Sequence, residues 1–237
     1  MEDSEKYRTD FVKAASEKLF IPRESRGEPN ERPLHVARTL ANELSKYGSF
    51  VGVAIRGSSV LGYATKPDDA VAKEIGDISD IDLDILYIKP DRVSGEHGAV
   101  INAADAFADR YQKGSGQQIH ILPADVSEKG LEKEIQDRHT LLPNGFAALC
   151  ELATGKNGND NLKEVRRWAA DAIRALSSDA QNEMLERISD TLVHREELAF
   201  TKIERRVNDQ RGDWNREEFI ANRKRLWDKR VRAIFKG

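Results

Sequence analysis

Apolar positions recur along this chain with two different periods. Tyr7, Phe11, Ala15 and Leu19 return every four residues and predict an opening helix. Pro22, Gly27, Pro29 and Pro33 then punctuate a charged stretch that reads as a loop. Val36, Leu40 and Leu44 resume helical spacing, with Gly48 as the stop. At Val51, Val53 and Ile55 the period changes to two, which predicts a strand over Phe50–Arg56 ending at Gly57. A second strand is expected over Asp80–Lys89, closed by Pro90, and a third over Gln117–Leu122, closed by Pro123. Val60 to Ile78 is irregular. Helices are expected over Ala99–Gln112, Val126–Arg138 and Gly145–Ala153, the first ended by Gly114-Ser115-Gly116.

Beyond Thr154–Asn161, rich in Gly and Asn, only helical patterns remain. Leu162, Val165, Trp168, Ala169, Ala172, Ile173 and Leu176 form one amphipathic stripe. Met184, Leu185, Ile188, Leu192, Val193, Leu198 and Ile203 form a second, and Phe219, Leu226, Trp227, Val231 and Ile234 a third. The expected plan is α+β: a mixed α/β domain over residues 1–155 and a helical domain over 156–237.

Two features of the α/β half carry chemistry. The first is Gly57-Ser58-Ser59, a strand running into a turn whose backbone amides and hydroxyls suit a phosphate. An ordinary turn with a capping serine has the same sequence. The second is Ser79-Asp80-Ile81-Asp82-Leu83-Asp84-Ile85, in which carboxylate and apolar residues alternate. On a strand, Asp80, Asp82 and Asp84 share one face and Ile81, Leu83 and Ile85 the other. Three like charges on one face favour a bound divalent cation or bulk water over an ordinary buried sheet. A solvent-facing edge strand would show the same alternation.

The conjunction of the two resembles the nucleotidyltransferase superfamily that includes DNA polymerase beta. That family's pattern is an apolar strand, Gly-Ser, a spacer and Asp-apolar-Asp-apolar; Gly57-Ser58 and Asp80-Ile81-Asp82-Leu83 match it across roughly residues 34 to 125. The resemblance implies a mixed sheet flanked by helices, with Mg2+ (or Mn2+) and an NTP, ATP first among them. It implies transfer of a nucleoside monophosphate to an acceptor hydroxyl on a small molecule, protein or RNA, with release of pyrophosphate. Asp80, Asp82 and His120 would be catalytic, Asp80, Asp82 and Asp84 metal-binding, and Gly57, Ser58 and Ser59 nucleotide-binding. Two departures stand out. The spacer between Gly57-Ser58 and Asp80 is long, and His120 stands where the family often carries a third carboxylate. Imidazole suits Zn2+ and softer ions better than Mg2+; Asp84 or Asp125 are the substitutes. A protein of this fold that senses nucleotides, or acts as an antitoxin-like partner without turnover, fits the same residues. So does an RNA-binding helical module.

Weaker candidates are Lys66 and Lys73 in the spacer, and Arg56, placed to pair with an aspartate. Arg187 and His194, seven residues apart, share a helix face and faintly resemble the Arg-and-His signature of HEPN ribonucleases. From Thr201 onward Lys and Arg outnumber Asp and Glu by 12 to 6, and Arg223-Lys224-Arg225 suits an RNA backbone or a solvated face. The overall charge of −3 gives no global case for nucleic acid. Cys150 is the single cysteine, which excludes an intrachain disulfide and favours a reducing compartment. There is no run of apolar residues long enough to span a membrane. A cytoplasmic protein is expected, with the C-terminal helices as the surface for any homo-oligomer.

Overall fold

The computed structural model describes residues 31–61, 80–89, 95–137, 142–155, 160–206 and 216–236. Its architecture is mixed α+β and mostly helical: seven helices and one four-stranded mixed sheet among the described residues. The expected opening helix at Tyr7–Leu19 and most of the spacer, with Lys66 and Lys73, lie outside them.

Helix α1 (Arg32–Leu44) starts with a proline in its first turn, where the missing N–H costs nothing. It buries Leu34, Val36, Ala37, Leu40, Ala41 and Leu44, a 3.6-period stripe facing strand β1 (Phe50–Ile55). A short 3-10 turn, Gly57–Leu61, follows β1. Strand β2 is Ile81–Tyr87. Helix α2 (Gly95–Ser115) ends with Gly116 at φ 70°, the left-handed residue that closes a helix. Strand β3 runs Ile119–Asp125 and packs against α2.

Strand order is β3-β2-β1-β4, where β4 is the two-residue piece Ala153–Thr154. β1 runs antiparallel to β2 and β4, and β3 runs parallel to β2. The acidic strand β2 is therefore interior and buried along its whole length, not an exposed edge. The third strand does not stop at Pro123 but continues through it to Asp125. Proline is tolerated there because β3 is paired only to β2 within the described sheet, so one side of its backbone needs no ladder donor.

Helix α3 (Glu128–Gln136) is capped by Ser127, whose Oγ accepts from the Gly130 N–H at 3.2 Å. Helix α4 (Asn144–Cys150) is buried from Gly145 onward and packs on β2 and β3. Its first amides are met by Glu134, whose carboxylate accepts from Gly145 N at 2.7 Å and Phe146 N at 3.3 Å. Burial pushes that carboxyl up to about 7, against the pull of the two amides and Arg195.

Helices α5 (Asp160–Arg174), α6 (Ser178–Arg206) and α7 (Arg216–Phe235) complete the chain. α5 packs on β1 and α3, α6 on α4 and the 3-10 turn, and α7 on α5 and α6. One hydrophobic cluster runs from Leu34 and the strands through Ile173, Leu192 and Phe235. Trp227 and Phe235 are buried in it, and Trp168 packs against it. Across the α6–α7 seam Arg223 and Glu196, each 4% exposed, form a bidentate pair at 2.7 and 3.0 Å. Among the described residues no helix is long and apolar enough to cross a membrane.

Candidate metal centre

Because β2 alternates faces, Ile81, Leu83 and Ile85 go into the core while Asp82 and Asp84 point together to the other side. Both acids are buried, at 6% and 3% exposure. A buried, unpaired carboxylate would be prohibitively unfavourable; here two arginines make burial possible. Arg56, the residue between β1 and the glycine turn, places Nε 2.9 Å from Asp84 Oδ1 and Nη2 3.5 Å from Asp82 Oδ1. Arg195 of α6 donates from Nη1 to Asp84 Oδ2 at 3.2 Å and to Glu151 Oε1 at 3.0 Å, and from Nη2 to Asn144 Oδ1 at 2.8 Å. Burial still raises the Asp84 carboxyl above its ordinary range despite Arg195 and Arg56. It also raises Glu151 to about 8.

The parallel register sets Asp82 opposite His120. His120 Nδ1 lies 2.9 Å from Asp80 Oδ2 and 3.7 Å from Asp82 Oδ1. One ligand atom from each of Asp80, Asp82 and His120 falls within 4.8 Å of the others, the only such metal-ligating trio among the described residues. Burial is graded across the trio: the Asp82 side chain is 8% exposed, Asp80 18% and His120 45%. An ion held there would be anchored on the inside and open on the outside. Two carboxylates and an imidazole suit a divalent cation that tolerates both oxygen and nitrogen.

The glycine turn lies against the same carboxylate. Gly57 has φ 61°, and a Cβ built on it would stand 2.5 Å from Asp82 Oδ2. Only a residue without a side chain fits that conformation and that proximity. Ser59 is buried and its Oγ accepts the Asp82 N–H at 3.0 Å, tying the turn to β2. The Gly57 backbone, Asp80, Asp82 and His120 are thus brought together, and Ser59 serves as the link between turn and strand.

Two expected metal ligands sit elsewhere. Asp84 is on the expected face, but its oxygens meet Arg56 and Arg195 and it is not part of the trio. Asp125 faces Tyr87 across the ladder, five positions beyond His120, or roughly 16 Å along the strand. There its Oδ1 accepts the Ser127 N–H at 3.0 Å. Of the weaker candidates, Arg56 pairs with aspartates as expected. His194 lies 3.9 Å from Glu197. The C-terminal basic run is largely engaged within the helices: Arg223 with Glu196, Lys224 with Glu186 and Asp190, Arg225 with Asn222 and Arg232 with Asn182.

Arg195, Glu151 and Asn144 are the site residues that sequence reasoning missed. Glu151 left a trace, a lone acid inside the apolar run Phe146–Leu152. Arg195 left none, since it stands among other charged residues on a long helix. No family model, curated protein or solved structure matches this chain.

Proposed function

We propose that the protein is a metal-dependent nucleotidyltransferase, moving a nucleoside monophosphate from an NTP to an acceptor hydroxyl with release of pyrophosphate. The observation that carries the reading is the approach of the Gly57 backbone to Asp82 Oδ2 beside the Asp80–Asp82–His120 trio. A turn fit for phosphate and a group fit for a divalent cation share one carboxylate.

In this reading Asp80, Asp82 and His120 hold the ion, Mn2+ or Mg2+. When bound, it supplies charge neutralisation to the triphosphate and polarises the oxygens exchanged at the α-phosphorus. The chain's own residues do the rest. Gly57 leaves the turn bare so that phosphate can approach its amide. Ser59 fixes the turn against β2, leaving the Gly57 backbone to meet the triphosphate; the Ser58 side chain lies outside the described residues. Arg56 and Arg195 neutralise Asp84, which keeps β2 folded with its acids on the site side. Catalysis then rests on in-line positioning and on charge stabilisation by groups already in place.

Isothermal titration of ATP, GTP, CTP and UTP with Mn2+ tests the reading. At least one nucleotide should bind in a metal-dependent way, and Asp82→Asn should weaken that binding tenfold or more. Absence of binding by all four, or binding indifferent to metal and to Asp82→Asn, would overturn it.

A second reading is favoured by one specific observation: an arginine lies 3.5 Å from Asp82, and the third member of the trio is an imidazole. Here the same pocket senses a nucleotide without turning it over. Metal-dependent binding would then persist, and no pyrophosphate would appear with small-molecule, protein or RNA acceptors.

A further inference from the structure

Four charged groups form a ladder from the C-terminal helices to the trio: Arg195, Asp84, Arg56 and Asp82. Asp84 is shared, with Oδ2 toward Arg195 at 3.2 Å and Oδ1 toward Arg56 at 2.9 Å. Arg56 is in turn divided between Asp84 and, at 3.5 Å, the Asp82 Oδ1 that also faces His120. The division leaves a mark. Arg56 Nε is buried and, close as Asp84 is, has no acceptor aligned for a hydrogen bond among the described residues. A guanidinium fully docked on one carboxylate would make two parallel bonds. Arg56 makes neither pair well, because Arg195 already occupies half of Asp84.

We infer that Arg56 is an internal cation competing with the divalent ion for Asp82, and that Arg195 sets how strongly it competes. This rests on the metal-binding part of the proposed function. When an ion takes Asp82, Arg56 is repelled and retreats onto Asp84. Arg195, engaged with Asp84, Glu151 and Asn144, restricts the room for that retreat. The affinity of the centre is therefore set partly by helix α6, through Arg195, which lies 111 residues from Asp84 in sequence. A ligand or acceptor that shifts α6 would shift metal affinity with it. Both arginines are thus positioning residues that hold affinity down, whereas a purely structural role would make their loss weaken binding.

The test is direct Mn2+ binding to the full chain, read by electron paramagnetic resonance without nucleotide or turnover. Arg56→Gln should tighten Mn2+ binding on the order of tenfold, the effect of removing one positive charge a few ångströms from the ion. Arg56→Lys keeps the charge but cannot span two carboxylates, and should fall between wild type and Arg56→Gln. Arg195→Lys, which retains a cation for Glu151 and Asp84, should tighten binding more modestly. Unchanged or weakened binding in folded Arg56→Gln and Arg56→Lys would overturn the inference while leaving the metal centre intact. Lack of Mn2+ binding by wild type at millimolar concentration would overturn the centre itself. A measurement on the unaltered protein guards against variants that fail to fold. On saturation with diamagnetic Mg2+ or Zn2+, the Arg56 Nε–H resonance should shift and exchange more slowly as it settles on Asp84. A resonance that does not move refutes the retreat.

Discussion

Replacing Gly57 with alanine probes the contact on which the site depends. Two costs can be separated. The first is conformational: Gly57 sits at φ 61°, and a side chain in the left-handed region costs about 1–2 kcal/mol. The second is steric. The new methyl would stand 2.5 Å from Asp82 Oδ2 and 3.2 Å from Asp82 Cγ. Asp82 is buried and tied through its N–H to Ser59, so relief requires moving the carboxylate. Overpacking of this kind costs about 1–3 kcal/mol. The sum, ~2–5 kcal/mol, is a large part of an ordinary domain's stability of about 5–15 kcal/mol. Urea unfolding of four proteins resolves it: wild type, Gly57→Ala, Asp82→Ala and the double variant. With Asp82 truncated, only its Cβ remains, at 3.4 Å from the new methyl, an ordinary contact. Gly57→Ala should then cost only its conformational share, giving a coupling of about 1–3 kcal/mol between the two positions. Additive costs would show that Gly57 does not lie against Asp82, and the candidate site would dissolve with that result.

Three further outcomes are expected. His120→Asp should tighten Mg2+ binding by about tenfold relative to Mn2+, because a third carboxylate suits the harder ion; equal change for both metals in calorimetry would deny His120 a ligand role. Glu134 is pushed to about 7 from 4.5, so between those values the folded state binds more protons than the unfolded one and stability falls as pH rises. Glu134→Gln should remove up to about 3 kcal/mol of that fall between pH 4.5 and 7, leaving the share of Glu151, raised to about 8; denaturant melts across pH would refute this by retaining the full slope. Glu196→Leu should destabilise by about 3–5 kcal/mol by stranding Arg223, and Arg223→Met in the same chain should recover most of it; a double variant no better than the single one would mean the pair is not what Arg223 balances.

Much of the fold followed from local pattern. The stripe from Val36 to Leu44, the alternation in β1 and β2 and the three C-terminal helices all appear where their periods place them. Period reports one element's faces, so it also put Asp82 and Asp84 on a common side. Misses came where neighbours decided. Pro123 is a strand breaker on propensity alone, yet sits within β3 because that strand has a single partner in the described sheet. β4, two residues long, is too short to have a period. The surprise was a strand with two aspartates, Asp82 and Asp84, buried in the sheet interior, since Arg195 is not beside them in sequence.

What the sequence determined by itself is the side on which each acid of β2 lies, because strand alternation follows from backbone geometry over a few residues. Only the tertiary structure decided what those acids meet. Parallel pairing with β3 put His120 opposite Asp82, and packing of α6 brought Arg195 to Asp84 and to Glu151, 111 and 44 residues away. Charge interactions depend on separation in space, and across such lengths of chain that separation is fixed by how helices and sheet bury their apolar faces together.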